Sequence, residues 1–280
     1  MKNCMGITLV KVGLGGKQME ILVCIKQVPG TAKVEVDPVT GVLKRDGIDS
    51  KMNPYDLYAL ETALRLREQN GGTIKVISMG PPQAAEIIRE AYMMGADEGA
   101  LLTDRKFAGA DVLATSYTIS QGVKKMGSFD LILCGKQTTD GDTAQVGPAM
   151  AENLKIPHIA NVLSIIEVKE KSIIVEMDMA NTIEIVEVQF PCLLTVEKGI
   201  FQPRLPSYRK KVSTKDREVR MITLNDFEDK DEKNYGLNGS PTQVERIFPP
   251  DANSDRETWT GTGEHLGHKM ASKLKQLKFI

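Results

Sequence analysis

The sequence predicts an α/β fold built on a doubly wound, mostly parallel, Rossmann-like sheet. Between residues 20 and 135, short apolar strand patterns alternate with longer helical patterns, which is typical of βαβ units. Right-handed crossovers then place helices on both faces of the sheet. After Pro157, several short runs rich in Ile and Val replace the helical patterns. These runs predict hairpin strands that extend the same sheet.

The elements of the alternating region follow in order along the chain. Strands are predicted at 20–26 (EILVCIK), 73–80 (TIKVISMG), 98–104 (EGALLTD) and 129–135 (FDLILCG), with helices at 53–72, 81–96 and 109–127. The first helix has leucines at helical spacing. Asn53 can act as its N-cap, and Pro54 suits its first turn, where no N–H is needed.

Changes in composition divide the chain into three parts. Residues 1–18 do not continue the alternating pattern and are interpreted as an N-terminal extension, and residues 19–210 form the predicted α/β domain. After about residue 205 the sequence becomes polar. Because such a segment can supply little core, residues 211–280 are predicted to be a C-terminal arm that lies on another protein.

Charge and hydropathy argue against two classes of partner. Lysine plus arginine number 36 and aspartate plus glutamate 37, so no overall field draws the chain onto nucleic acid. No apolar run reaches the roughly 18 residues that a membrane helix needs, and the N-terminus does not have the pattern of a signal peptide. We therefore expect a cytoplasmic protein that does not insert into a membrane.

The cysteines and histidines do not indicate a metal site. The four cysteines are Cys4, Cys24, Cys134 and Cys192. They form no CxxC pair, and three of the four lie in apolar strand-like runs. Reduced, buried thiols are the expectation. His265 and His268 lie three residues apart in a polar tail, without a cysteine or acidic partner at ligand spacing, and no metal is predicted.

The most informative segment is the loop at 134–148, which reads CGKQTTDGDTAQVGP. It follows the fourth predicted strand, and ligands of open α/β sheets bind beyond the carboxyl ends of the strands. A helix is predicted to begin near Thr143 or Ala144. Its first N–H groups lack helical partners and carry partial positive charge, so this terminus can accept a phosphate or a diphosphate.

Particular residues of this loop suit a nucleotide. Gly141 and Gly147 let the backbone approach a ligand closely. Asp142 and Thr143 can cap the helix or bond a ribose or phosphate oxygen. A simple capping turn at DGDT is the alternative. An acidic side chain beside a phosphate is unusual, which favours contact through backbone amides and the Thr143 hydroxyl.

Three further segments should lie on the same rim. The first strand ends at residues 24–27 (CIKQ), the second at Met79 and Gly80, and the helix after the long loop begins at residues 53–56 (NPYD). Met79 and Gly80 can flank an adenine. Each also has a simpler interpretation, with Cys24 as core, Met79 as a filler and Asn53 as a cap. Together they outline a nucleotide pocket.

These segments resemble the β subunit of electron-transfer flavoproteins over roughly residues 19–210. The resemblance rests on ILVCIKQVP, VDPVTGVLKRDG, MNPYD, VISMGPP, MGAD, CGKQTTDGDTAQVGPAMAENL and FQPRLPS. It implies a heterodimer with an α subunit that carries its own FAD. It also implies an adenine-nucleotide site in this chain, which holds a structural AMP in one branch of the family and a second FAD in the electron-bifurcating branch.

In the bifurcating branch, the second FAD takes hydride from NADH. One electron goes to ferredoxin or flavodoxin, and the other to the α-subunit FAD, which serves a flavin dehydrogenase such as an acyl-CoA dehydrogenase or a lactate-type dehydrogenase. TTDGDTAQVGP and VDPVTGVLKRDG resemble this branch. A small residue at Gly141 leaves room for a diphosphate, so FAD is preferred over AMP.

The resemblance also assigns roles to residues. It implies that the nucleotide is bound at Cys24, Lys26, Asn53, Pro54, Tyr55, Asp56, Met79, Gly80, Cys134, Gly135, Gln137, Asp140, Gly141, Asp142, Thr143, Ala144, Gln145, Val146, Gly147 and Pro148. No side chain is implied as catalytic, because the flavin supplies the chemistry. Ile200 and Arg204 match a loop that contacts the dehydrogenase, and the arm at 211–280 would wrap the α subunit.

Two basic segments and two other protein classes leave alternatives open. The loop with Lys33, Lys44 and Arg45 could help to hold NADH or be a solvated basic loop, and RKKVSTK could pair with an acidic partner or be a solvated face.

An adenylate-forming or ATP-cleaving enzyme would need a Gly/Ser-rich loop after the first strand, where the chain has KQVPGTAKVEVDP. A nucleotide-binding stress-type module would lack the hairpin region and the arm.

Overall fold

The structure, a computed structural model, describes residues 18–30, 50–245 and 256–280. These residues belong to two compact units, the first reaching Glu245 and the second containing residues 256–280. Residues 1–17 of the predicted extension at 1–18 lie outside the described residues, as does the loop with Lys33, Lys44 and Arg45. Within the described ranges, no helix is both long and apolar enough to cross a membrane.

The described chain contains eleven strands and six α-helices. The strands are β1 Met19–Cys24, β2 Gln27–Pro29, β3 Ser50–Met52, β4 Gly72–Met79, β5 Glu98–Leu102, β6 Leu131–Gly135, β7 His158–Val168, β8 Ser172–Asp178, β9 Ile183–Gln189, β10 Cys192–Val196 and β11 Arg220–Ile222. The helices are α1 Pro54–Asn70, α2 Ala85–Met94, α3 Val112–Met126, α4 Val146–Leu154, α5 Tyr208–Ser213 and α6 Gly263–Gln276.

Nine of these strands form one sheet, in the order β11-β5-β4-β1-β6-β10-β7-β8-β9. All pairs from β11 to β7 are parallel, and β8 and β9 continue the sheet as antiparallel hairpins. This order confirms the predicted doubly wound sheet with added hairpins. The chain passes from β1 to β4 on one side and later returns to β6 on the other, so a topological switch point lies at β1.

The core has two parts, because alternate residues of each buried strand face opposite sides of the sheet. One cluster contains Ile21 and Val23 of β1 and packs with α1 and α2; the other contains Leu22 and packs with α4. Fully burying each such side chain stabilises the fold by about 1.5–3 kcal/mol. The strands whose carboxyl ends carry the candidate site are therefore packed by helices on both faces of the sheet.

The C-terminal segment departs from the expected arm. Residues 211–245 belong to the first unit, and β11 pairs with β5 at the edge of the sheet. Tyr235 is fully buried, and its ring lies 5.8 Å from Phe227 and 5.7 Å from Phe107. A few large aromatic residues bury much area, so a mostly polar segment still contributes core. That the tail packs on an α subunit stays a prediction.

Candidate nucleotide-binding site

The carboxyl ends of β1, β4 and β6 lie side by side at the switch point. Cys24 at the end of β1 is in register with Ile77 of β4 and with Cys134 of β6. The small antiparallel sheet of β2 and β3 brings the start of α1 to the same edge, because Gln27 pairs with Met52. The segments predicted to share one rim are therefore neighbours.

Asn53 joins two of these segments. It is fully buried, and its backbone N–H donates to the carbonyl of Lys26 at 2.8 Å. Its side-chain amide donates to the carbonyl of Gln137 at 2.9 Å and accepts from the N–H of Thr139 at 3.3 Å. The expected N-cap bond is not made by this side chain. Loop residues 137–139 take its hydrogen bonds instead, so Asn53 fixes the loop after β6.

Asp56 joins three segments. Its carboxylate is buried and accepts a hydrogen bond from the backbone N–H of Lys26 at 2.7 Å. Burial raises its pKa to about 7, opposed by hydrogen bonds from the Asn53 side chain and the N–H groups of Lys26 and Gly135. A Cβ at Gly135 would lie 2.5 Å from Asp56 Oδ1 and 2.6 Å from the carbonyl carbon of Tyr55. Position 135 therefore needs glycine for close packing against α1.

An ion pair with Lys26 accounts for Asp140, the first aspartate of the loop between β6 and α4. Lys26 Nζ lies 2.8 Å from Asp140 Oδ1, with the two side chains 45% and 33% exposed. Burial raises the pKa of Asp140, but the hydrogen bond and charge of Lys26 outweigh it and lower the pKa overall. Lys26 therefore offsets the negative charge that would otherwise repel a phosphate here.

The backbone before α4 differs from the expectation. The helix begins at Val146 rather than near Thr143 or Ala144, and its N-cap is Gln145, which makes no side-chain cap bond. Asp142 and Ala144 have φ values of 52° and 54°, a left-handed conformation that interrupts the helix. The predicted capping by Asp142 and Thr143 is therefore wrong. Ala144 is followed by the right-handed Gln145, and adjacent residues of opposite hand turn successive N–H groups toward one side in anion-binding nests.

Gly147 has a different role from the one predicted. It is buried in the first turn of α4, and an added Cβ would lie 2.6 Å from Thr195 Cγ2 of β10. The glycine thus permits close helix–strand packing, whereas a close approach of ligand to backbone was expected. Gly141 is exposed, and its nearest contact for an added Cβ, Thr138 Oγ1, is 3.6 Å away. Open space at Gly141 agrees with room for a ligand.

Two thiols lie beneath the rim. The Cys24 and Cys134 side chains are hydrogen bonded, and this bond, followed by burial, raises the pKa of Cys24 well above its usual range. Cys192 is buried, and burial raises its pKa to about 12. All three are free thiols, whereas Cys4 lies outside the described residues. No group of His, Cys, Asp and Glu side chains within the described ranges could hold a metal ion.

Met79 and Gly80 lie at the end of β4, which β1 separates from β6 and the loop that follows it. Met79 is half-buried against the core cluster that includes Leu22 and Cys134. The N–H of Gly80 donates to the carbonyl of Leu102 at 3.1 Å, which ties the end of β4 to β5. These residues are therefore on the expected edge, where they can form the side of the pocket opposite the loop.

The predicted docking residues are partly exposed and are anchored to the domain by their side chains. Ile200 packs partly buried against the core, and the Arg204 guanidinium bonds the carboxylates of Glu61 and Glu68. Arg204 is thus already paired and is not a free charge. Three apolar residues between 200 and 212 are largely exposed: Leu205 (87%), Tyr208 (80%) and Val212 (60%). Sequence reasoning did not single them out. The prolines that flank Leu205 were a usable signal, because they keep it out of a helix.

Fold and rim together define the class of protein. It is a doubly wound α/β protein with a loop and a helix N-terminus at its switch point, the place where such proteins bind ligands. Residues 40–224 match the family described as "Electron transfer flavoprotein domain".

Relatives agree with this match over nearly the whole chain. The sequence is 45% identical over 262 residues to the electron transfer flavoprotein subunit beta of Clostridium acetobutylicum, covering 94% of this chain and 100% of that one. It is 46% identical over 266 residues to the caffeyl-CoA reductase-Etf complex subunit CarD of Acetobacterium woodii, with the same coverage. Protein FixA of Azorhizobium caulinodans is 40% identical over 252 residues, covering 88% and 90%. The chain therefore belongs to the electron transfer flavoprotein family, among its β subunits.

Proposed function

We propose that this β subunit binds FAD at the rim of β1, β4 and β6 and takes part in NADH-driven electron bifurcation, in a heterodimer with a flavin-carrying α subunit. The observation that carries the proposal is the backbone at 141–147. Two left-handed residues, Asp142 and Ala144, precede a helix N-terminus with unpaired N–H groups. Strained backbone of this kind collects at ligand sites.

The residues present suit the adenosine diphosphate half of FAD. N–H groups at the start of α4 would bind the diphosphate, and open space at Gly141 would admit its second phosphate. Lys26 offsets the charge of Asp140, and Asn53 holds the loop in place. The chemistry that FAD supplies when bound is acceptance of hydride from NADH, with one electron passed to ferredoxin or flavodoxin and the other to the α-subunit FAD.

The nucleotide can be tested through Gly141. Replacing Gly141→Ala adds a methyl group in open space, 3.6 Å from its nearest neighbour, so folding should be unaffected. A diphosphate bound beside it would be crowded. We expect the affinity of the full chain for FAD, measured by isothermal titration calorimetry, to fall about tenfold and that for AMP to change less.

Gly267→Ala is the matched control, since an added Cβ there meets nothing within 4 Å. It should bind both nucleotides like the unmodified chain. AMP binding with no measurable FAD binding would contradict the FAD assignment and leave a structural AMP. If neither FAD nor AMP bound, the site itself would be contradicted.

The proposed electron acceptor of the complex is a flavin dehydrogenase that docks on residues 200–212. Leu205 and Tyr208 present apolar surface there, and Arg204 holds the segment on α1. One relative is a subunit of a caffeyl-CoA reductase complex, which favours an acyl-CoA-type partner over a lactate-type one. Leu205→Ala should slow electron transfer to the dehydrogenase severalfold at low partner concentration, without changing flavin content.

A further inference from the structure

Asp56 connects the three segments that form the proposed nucleotide site. It lies in the first turn of α1, and the residue is only 5% exposed. One oxygen accepts the N–H of Lys26, beyond the end of β1, at 2.7 Å. Gly135, at the end of β6, packs against the same carboxylate, because a Cβ added there would lie 2.5 Å from Asp56 Oδ1. From the start of α1, this side chain thus contacts the segments that follow β1 and β6.

The position of Lys26 depends on this carboxylate as well. Its N–H is bonded to Asp56, while its ammonium group lies 2.8 Å from Asp140 in the loop before α4. At Gly135 there is no spare room, because even an added Cβ would lie 2.6 Å from the backbone of Tyr55. A change at Asp56 is therefore transmitted to two positions of the loop between β6 and α4, directly to Gly135 and through Lys26 to Asp140.

The other titratable groups around Asp56 are a thiol pair and an ion pair. Cys24 lies on β1, and its hydrogen bond to Cys134 of β6 raises its pKa well above the ordinary thiol value, so this thiol stays neutral near pH 7. The charged group nearby is Lys26, which is paired with Asp140. Burial raises the pKa of Asp56 to about 7, so this carboxyl changes charge within the physiological range.

We propose that Asp56 is a positioning residue of the nucleotide site, and that its ionised form is required to hold the site in its binding conformation. The ionised carboxylate accepts the hydrogen bond from the backbone N–H of Lys26. Protonation removes the negative charge, which weakens this bond and loosens the hold on Lys26. Nucleotide binding should then weaken as pH falls and should release a proton. This inference rests on the proposed function.

Calorimetric titration of the full chain with FAD at pH 6, 7 and 8 tests the inference. FAD has no group that titrates in this interval. With a pKa of about 7 in the free chain, affinity at pH 6 should be about tenfold lower than at pH 8. Repeating the titration in two buffers of different ionisation enthalpy should show release of nearly one proton at pH 6 and almost none at pH 8.

Two variants separate positioning from a general structural role. Asp56→Asn keeps the shape but cannot ionise, so its affinity should be low and independent of pH. Glu90→Gln is the control: burial also raises the pKa of Glu90, but this carboxyl makes no described bond to the rim. It should retain the tenfold pH dependence.

The outcomes distinguish the two proposals. Equal FAD affinity at pH 6 and pH 8, with no proton exchanged, would overturn the role of Asp56 and leave the site intact. Failure of FAD to bind at any pH would overturn the proposed function instead. Should Asp56→Asn not fold, the proton count on the unmodified chain still decides the question.

Discussion

Replacing Arg204→Ala removes the side chain that ties the segment at 200–206 to α1. Glu61 is wholly buried and accepts from the Arg204 backbone N–H at 3.1 Å, from Nε at 2.8 Å and from a terminal guanidinium nitrogen at 3.0 Å. A further bond of 2.6 Å joins Arg204 to Glu68, which is half-exposed. The variant would leave Glu61 with Arg65, 2.7 Å away, as its remaining ionic partner.

The expected cost follows from these contacts. Breaking a buried ion pair by removing one partner costs about 3–5 kcal/mol, and hydrogen bonds to charged groups contribute about 1.5–3 kcal/mol each. The remaining Arg65 and the partial exposure of Arg204 reduce the loss, and the Glu68 bond contributes little because it is solvated. We therefore expect the free energy of unfolding to fall by about 2–4 kcal/mol.

Urea unfolding followed by far-ultraviolet circular dichroism measures this change. Arg209→Ala is the matched control, because Arg209 is an exposed arginine of α5, five residues further along, and should change stability by less than about 0.5 kcal/mol. Equal stability of the two variants would refute the assignment of Arg204 as the anchor of this segment.

The pH dependence of the same pair gives a second check. Burial raises the pKa of Glu61, but the bonds from Arg204 and Arg65 outweigh it and lower the pKa overall. A folded-state pKa below the unfolded value means that the stabilisation is present above the unfolded pKa. It is lost as pH falls through the folded pKa. Arg204→Ala should therefore be most destabilising near neutral pH and converge on the unmodified chain in acid.

Three further predictions concern the rim. The folded-state pKa of Asp56 is about 7, against an ordinary value of 3.8. The free energy of unfolding, measured in urea relative to Asp56→Asn, should therefore fall by roughly 2–3 kcal/mol as pH rises from 5 to 8. A difference between the two proteins that does not change with pH would contradict the raised pKa. Gly135→Ala, whose Cβ would lie 2.5 Å from Asp56 Oδ1, should cost about 2–3 kcal/mol, whereas Gly141→Ala should be neutral in thermal melting. Lys26→Met should lower the affinity for FAD about tenfold in calorimetry, because it leaves the Asp140 carboxylate unpaired beside the phosphate. Adding Asp140→Asn should restore the affinity. A double variant that binds FAD no better than Lys26→Met would contradict this role of Lys26.

The sheet could be predicted from sequence because its signal is periodic. Strands buried on both faces form short continuous apolar runs, and the helices between them carry apolar residues at helical spacing. The location of the candidate site followed from the same pattern. Ligands bind where the crossovers diverge, and the loop after β6 lies at that edge.

The finer features depend on contacts between distant residues or on backbone conformation. Asn53 was interpreted as a helix cap, but its side chain bonds loop residues more than eighty positions away. Left-handed backbone at Asp142 and Ala144 has no glycine to signal it. Tyr235 contributes core from a polar segment, because burial of one large ring outweighs the surrounding composition.

The central claim is that the rim of β1, β4 and β6 holds a flavin, and the nucleotide content of the purified heterodimer tests it most directly. The complex of this chain with its α subunit would be denatured in acid, and the released nucleotides separated and counted by chromatography. Two FAD per heterodimer and no AMP is the result we predict. One FAD with one AMP would contradict bifurcation and leave this subunit a structural nucleotide holder and docking platform.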